Sequence, residues 1–196
     1  VHFEAVGNKG TDDPRPLEKD DLFRIYSMTK PITATAAMQL YEQGKFHLND
    51  PIHKFIPEFK DLTVLNEEGK QVPVKNHMTM QQLLSHTTGM SYGFDPQNDP
   101  VDQLYVEAKL WDHEDLDSLM KTVSKLPLKF EPGSAWHYSI AVDVTGAIVE
   151  RISGQSFDKY LEEQIFDPLG MDDTFFQLPA DKKARFLPNN YWDPQN

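Results

Sequence analysis

Ser27 and Lys30 are the first and last residues of the segment Ser27-Met28-Thr29-Lys30. On a helix, this spacing places the hydroxyl and the ammonium on one face, about one turn apart. A serine hydroxyl becomes a nucleophile for acyl transfer when a neighbouring base removes its proton as it attacks. The pair therefore predicts a covalent serine mechanism.

Two further segments have the same spacing, Ser118 to Lys121 and Ser156 to Lys159. The first lies in a charged run and the second begins an ordinary surface helix, so both are interpreted as structural. Ser27 differs because the strand-like run LFRIYS turns directly into a helix of small residues. At a helix N-terminus, free N–H groups would stabilise an oxyanion and favour the neutral, basic form of Lys30. The alternative is an N-cap serine beside an exposed lysine.

Tyr138 is the candidate for a second proton-handling group. It follows the turn Glu131-Pro132-Gly133-Ser134 and leads into a predicted helix, so its phenol could be held over the front of that helix. The alternative is an ordinary core or rim aromatic. His137 is adjacent and is predicted to line the site.

Other chemistries have little support. The chain has no cysteine, which excludes thiolate nucleophiles and disulfides. It has no His-Glu-x-x-His pattern and the histidines are scattered, so we expect no metal and no cofactor. The segment Gly89-Met90-Ser91-Tyr92-Gly93 has Gly-x-Ser-x-Gly spacing, but it follows a predicted helix rather than a strand, so an α/β-hydrolase triad has little support.

The net charge of −12 would repel a phosphate backbone, so nucleic acid is not an expected partner. No run approaches the roughly 18 apolar residues of a membrane span. The expected partner is a small-molecule ester or amide. Oligomeric state and compartment, cytoplasm or periplasm, are left open.

The elements that must position these residues form a mainly helical region. Pro31 fits only a first helical turn, which places the nucleophile helix near Ser27 and its end near Gly44. Thr79 and Gln82 have the spacing of a capping box. Strands are predicted for HFEAVG and LFRIYS, a hairpin for 61–78, and helices for 80–86, 101–110, 116–126, 140–152 and 157–165.

The chain is thus predicted to be one domain over 1–196, with strands in about 1–30 and a helical lobe in about 31–196 that ends in the loop-like stretch 187–196. A sheet made of so few strands would leave unpaired edges and an uncovered face. We therefore expect its remaining strands in C-terminal sequence outside this chain.

Three long segments resemble one known superfamily. They are FRIYSMTKPITATAAMQLYEQGKFHLNDPIHKFIPEF, LLSHTTGM and FEPGSAWHYSIAVDVTGAIVERISGQSFDKYLEEQIFDPLGMDDTFF. Together they are similar to the serine β-lactamases and penicillin-binding-protein-like enzymes, above all to family VIII carboxylesterases and class C β-lactamases. The resemblance implies an α/β (α+β) transpeptidase-like fold, with an antiparallel sheet flanked by helices, of which this chain is an incomplete part.

The resemblance implies that Ser27 is acylated, that Lys30 is its general base and that Tyr138 is the phenol of a Tyr-x-Asn element that relays the proton. The backbone N–H of Ser27 would be one oxyanion donor, and LLSHTTGM would be structural.

Two features depart from the β-lactamase pattern. Ile140 replaces the usual Asn, and an apolar side chain removes both a donor and an acceptor for a substrate amide. We therefore expect Ile140 to line the substrate site and to favour esters. The third motif of the family, with the second oxyanion donor, is missing from this chain, so the isolated chain is expected to be inactive.

The sequence thus predicts a serine hydrolase with an acyl-enzyme mechanism, most simply a carboxylesterase for short-chain esters. A β-lactamase or DD-peptidase is the alternative, and acyl transfer to an alcohol is also open. A non-catalytic binding module that retains the fold is the third possibility, although the presence of Ser27, Lys30 and Tyr138 together argues against it.

Overall fold

The computed structural model of the chain describes residues 2–189. Most of this part is helical, and the two small sheets are separate antiparallel hairpins. The strands are β1 (Asn8–Gly10), β2 (Asp13–Pro16), β3 (Thr63–Leu65) and β4 (Gln71–Pro73). The α-helices are α1 (Thr29–Glu42), α2 (Met80–Leu84), α3 (Pro100–Glu107), α4 (Leu116–Val123), α5 (Ala141–Ser153), α6 (Phe157–Leu161) and α7 (Asp167–Leu169).

Shorter helical turns connect these elements. The 3-10 turns are Tyr26–Met28, Ile52–Lys54, Pro57–Phe59 and Ala180–Arg185, and a π-helical turn, Glu162–Phe166, joins α6 to α7. Within residues 2–189, no helix has the length and apolar character needed to cross a membrane. The loop-like end predicted for 187–196 lies, from residue 190 onward, outside the described residues.

The helices centre on α5, which packs against α1, α2, α4 and α6. Small residues allow this close packing: Ala36 and Ala37 of α1 are almost fully buried, and Gly146 of α5 lies against the Phe157 ring. A Cβ at Gly146 would come within 3.2 Å of that ring. The two helices that follow Ser27 and Tyr138 therefore share one core.

Most predicted helices form at the expected places, and the hairpin and the Thr79 capping box are present. The capping box is reciprocal: the backbone N–H of Gln82 donates to the Thr79 hydroxyl, and the Gln82 side chain accepts from the backbone N–H of Thr79. Helix α2 ends at Leu84, earlier than predicted, and residue 86 adopts a left-handed conformation.

The two strands predicted in the first 30 residues are wrong. The run HFEAVG is irregular, and LFRIYS makes a single bridge, between Leu22 and Phe186, before the 3-10 turn. The hairpin of β1 and β2 lies instead between these two runs. Charge explains the difference, because the Lys9 ammonium is buried against Glu18 and Asp21 at 2.6 and 2.7 Å.

Gly89 offers a test of how tightly the loop after α2 is held. Its φ is +83°, and an added Cβ would lie 2.4 Å from the Phe130 carbonyl oxygen. Gly69 has a similar φ of +72° but open space around it. Left-handed strain costs about 1–3 kcal/mol, so Gly69→Ala is expected to lower the free energy of unfolding by that amount. Gly89→Ala should lower it further, because its Cβ would also clash with the Phe130 carbonyl oxygen.

Urea denaturation of the two variants of the full-length protein measures the difference in their free energies of unfolding. Equal losses would contradict the close approach of Gly89 to Phe130. The backbone at Gly89 also contacts Lys129: the Gly89 carbonyl accepts a 2.7 Å hydrogen bond from the Lys129 backbone N–H.

Candidate active site

Ser27 lies in the 3-10 turn that runs directly into α1. The preceding residue, Tyr26, has a φ of +42°, a left-handed conformation that is unusual for a bulky side chain. Such strain persists only where the surrounding structure holds it, and it clusters at functional sites. Ser27 is exposed at this turn, two residues before α1 begins and close to the helix start that the sequence predicts.

The three residues predicted to carry the chemistry come together. The Ser27 hydroxyl oxygen is 2.6 Å from the phenol oxygen of Tyr138, across 111 residues of sequence. The Lys30 ammonium donates to the same Ser27 oxygen at 3.4 Å and lies 4.7 Å from the centre of the Tyr138 ring. One serine oxygen is therefore within hydrogen-bond reach of both a phenol and an ammonium group.

Hydrogen bonds to the loop after α2 hold Tyr138 in place. The backbone N–H of His137 donates to the His86 carbonyl at 2.9 Å, and that of Ser139 donates to the His86 Nδ1 at 3.3 Å. The His86 ring also lies 4.9 Å from the Tyr138 ring, centre to centre. Because Nδ1 accepts, the proton of a neutral His86 is on Nε2.

His86 is kept neutral by its surroundings. Burial is the largest cause that lowers its pKa, and the positive charge of Lys30 acts in the same direction. The segment LLSHTTGM, which the resemblance treats as structural, thus supplies the residue that fixes the Tyr138 loop.

The pKa of Tyr138 is lower than that of an ordinary phenol. Burial opposes its ionisation, but interactions with Lys30 and Ser27 and the positive charge of Lys30 outweigh the burial. A lower pKa increases the fraction of Tyr138 present as phenolate, which is the form that can accept a proton.

Ser27 opens into a cleft of about 540 Å³. Its wall is largely aromatic: the Tyr92 ring lies 5.5 Å from Tyr138 and 5.9 Å from Trp111, and Phe94 stacks on Tyr138 at 6.3 Å. Phe94 and Trp111 are 68% and 69% exposed. Exposed apolar surface that surrounds a reactive group is typical of a ligand site.

Asp143 and Tyr92 also line this cleft, and the sequence analysis missed both. The Tyr92 hydroxyl donates to Asp143 Oδ2 at 3.1 Å. Burial raises the pKa of the Asp143 carboxyl, and the hydrogen bond from Tyr92 and the charge of Lys30 only partly offset it. The one available signal was an acidic residue flanked by apolar residues in the first turn of α5.

A buried ionic network holds the loop that carries Tyr92. Asp102 accepts from Lys129 Nζ at 2.8 Å, from the backbone N–H of Asp95 at 2.9 Å and from the Ser91 hydroxyl. Burial opposes the ionisation of Asp102, but these hydrogen bonds lower its pKa overall, with Lys129 the largest favourable cause. Ser91 in turn accepts from the Gly93 backbone N–H. Tyr92 is therefore fixed from both sides.

The two residues predicted to contact substrate lie elsewhere. Ile140 is only 1% exposed and packs in the hydrophobic core, because α5 begins one residue later and turns this side chain inward. His137 is half-buried, with its Nε2 3.4 Å from the Ser91 hydroxyl. Neither is among the described residues that line the cleft. An effect of Ile140 on substrate choice would be indirect.

The other two Ser-x-x-Lys segments have local roles. The Ser118 hydroxyl donates to the Asp115 carbonyl at 2.9 Å within the first turn of α4. The Ser156 hydroxyl donates to Asp158 at 2.6 Å, and Lys159 pairs with Glu162. In the part of the chain that the structure describes, no three His, Asp or Glu side chains are arranged to hold a metal ion.

The sequence profile of the Beta-lactamase family matches residues 1–194. Among curated relatives, Esterase EstB of Burkholderia gladioli is 36% identical over 197 residues, with 100% of this chain and 48% of the relative covered. Lovastatin esterase of Penicillium rubens is 30% identical over 204 residues, with 99% and 50% covered. This chain thus spans about half the length of these relatives.

Solved structures share the fold. Simvastatin synthase LovD of Aspergillus terreus superposes with a TM-score of 0.73 at 30% identity, over 93% of this chain and 46% of the synthase. A penicillin-binding protein of Bacillus halodurans superposes with a TM-score of 0.68 at 27% identity, over 94% and 52%. The arrangement is therefore part of a β-lactamase/transpeptidase-like fold, as the sequence predicts.

Proposed function

Because this chain belongs to the beta-lactamase family, we propose that it carries the nucleophile-bearing part of a serine hydrolase that cleaves carboxylic esters through an acyl-enzyme. The observation that carries the proposal is the contact of the Ser27 hydroxyl with both Tyr138 and Lys30. We further propose that residues 1–196 are the N-terminal and helical portion of one hydrolase domain.

In the proposed first step, Ser27 Oγ attacks the carbonyl carbon of the ester. Before the attack, Tyr138 and Lys30 together carry one proton fewer than in their fully protonated form. The pair can therefore take the serine proton. The pair then gives that proton to the departing alkoxide, which leaves as an alcohol. The acyl group remains bound to Ser27 as an ester. In the second step, water attacks this ester, and the acid and the free serine are released.

The start of α1 supports the attack. The backbone N–H of Ser27 lies at a helical N-terminus, where partial positive charge stabilises the developing oxyanion. The short contact between Ser27 and Tyr138 makes the phenol oxygen the immediate proton acceptor, with Lys30 supplying the positive charge beside it.

The cleft supports an ester of modest size with an apolar acyl group. Its described lining is dominated by aromatic and aliphatic side chains, and Lys30 and Asp143 are the two charged residues in it. A buried Ile140 leaves no amide at the position where β-lactamases hold the amide of their substrate. The esterases among the relatives give further support.

Parallel turnover of p-nitrophenyl butyrate and a chromogenic cephalosporin by the full-length protein tests the proposal. We expect hydrolysis of the ester and slower or no opening of the β-lactam. A cleft that lacks a side-chain amide to hold the substrate amide gives an amide substrate no binding advantage over an ester. A protein that opens only the cephalosporin would be a β-lactamase or a DD-peptidase and would contradict the esterase assignment.

A further inference from the structure

Asp143 is a largely buried carboxyl for which the proposed ester cleavage has no use. It projects from the first turn of α5 into the cleft that contains Ser27. Within residues 2–189 it makes no direct ion pair with a lysine or arginine side chain, and its side-chain hydrogen bond comes from the Tyr92 hydroxyl. Burying a carboxylate in this way is costly, so its presence beside the nucleophile calls for a reason.

Tyr92 connects this carboxyl to the catalytic group. Its hydroxyl is bound to Asp143, while the centre of its ring lies 5.4 Å from the Lys30 ammonium. The same ammonium contacts the Ser27 oxygen and faces the Tyr138 ring. Lys30 and Asp143 are the two formally charged side chains among the described residues that line the cleft, and their charges are opposite.

We propose that Asp143, held in place by Tyr92, is the counter-charge of Lys30 and sets the pH range over which Ser27 reacts. The inference rests on the proposed role of Ser27 as nucleophile. Asp143 is a positioning residue, because it acts through the field at Lys30 and Tyr138 and contacts neither Ser27 nor the reacting bond. Charges in a partly buried cleft interact more strongly than in water.

Other titratable groups face this region as well. Tyr138 and His86 lie on the Ser27 side, and burial together with the charge of Lys30 keeps His86 neutral. Beyond Trp111 and Phe157, Asp143 also borders a second pocket whose other ionisable lining residues are His113, Glu114, Asp115, Glu150 and Asp158. These groups are unchanged when Asp143 alone is replaced, so a single substitution isolates its charge.

The expected effect has a definite sign. A negative charge near Tyr138 raises the pKa of the phenol, and Asp143 contributes in this direction. Replacement of Asp143 by Asn removes that charge, which makes loss of a proton from the neighbouring groups easier. The pH dependence of Ser27 reactivity should then move toward lower pH. Asp143→Glu keeps the charge and should keep the wild-type profile.

The experiment measures the rate at which a fluorophosphonate labels Ser27 in the full-length protein between pH 5 and 10, with fluoride as the leaving group. Wild type, Asp143→Asn and Asp143→Glu are compared with Asp61→Asn, which removes an equal charge from an exposed position outside the cleft. Thermal melting of each variant shows that it is folded. An acid-ward shift in Asp143→Asn alone supports the inference.

If Asp143→Asn were labelled more slowly but kept the wild-type pH profile, the inference would be overturned and Asp143 would be a purely structural residue. An equal shift in Asp61→Asn would also overturn it, because the effect would then come from net charge. Wild-type protein whose Ser27 is unlabelled at every pH would instead overturn the proposed function, and the inference with it.

Discussion

Replacement of Ser27 by alanine in the full-length protein is expected to lower kcat for p-nitrophenyl butyrate by about 10⁵-fold or more. The variant keeps Tyr138 and Lys30 but has no oxygen to form the acyl bond. Because Ser27 is exposed in a 3-10 turn, the loss should leave folding intact. Steady-state kinetics together with the melting temperature separate the two effects.

The chain supplies a matched control for this variant. Ser118→Ala removes a serine from a segment with the same Ser-x-x-Lys spacing, at a position whose hydroxyl bonds only within its own helical turn. Its kcat should stay within about twofold of wild type, since surface substitutions of this kind cost little stability. If both variants were equally impaired, or if Ser27→Ala kept its activity, the spacing would have no catalytic meaning at Ser27.

Replacement of Tyr138 by phenylalanine is expected to lower kcat by about 10²- to 10⁴-fold, the usual contribution of a positioned acid or base. The ring that packs against His86 and Phe94 is retained, and only the oxygen that lies 2.6 Å from Ser27 is removed. Proton transfer would then depend on Lys30 alone, across the longer 3.4 Å contact.

Tyr41→Phe is the control for Tyr138. Tyr41 packs at 5.7 Å against Phe46 and does not line the cleft, so loss of its hydroxyl should leave kcat unchanged. A Tyr138→Phe enzyme within about threefold of wild type would show that this phenol is a wall of the cleft and takes no part in proton transfer.

Local sequence signals predicted the position of Ser27 relative to its helix. Pro31 and the small residues that follow limit where α1 can begin, so they place Ser27 at its start. The position of Tyr138 was also predictable from local sequence, because a Pro-Gly turn before a periodic apolar run is a local signal. The family resemblance then linked the two across 111 residues.

The errors in the site arose where tertiary packing decides. Ile140 is one residue before α5, and the direction of a side chain at a helix end depends on how the helix packs rather than on its own sequence. The contact between Asp143 and Tyr92 joins residues 51 apart, which no local pattern specifies. The first strands were misplaced because a buried Lys9 pairs with two carboxylates in a segment whose composition is typical of a turn.

The most direct test of the central claim is peptide mass spectrometry of the full-length protein after reaction with an activated ester, p-nitrophenyl butyrate. The reaction is quenched at acid pH, which preserves the acyl-enzyme. We predict a butyryl adduct on the peptide that contains Ser27 and its absence from the Ser27→Ala variant. An adduct on another residue in the wild-type protein, or ester turnover that proceeds undiminished in Ser27→Ala, would contradict the account.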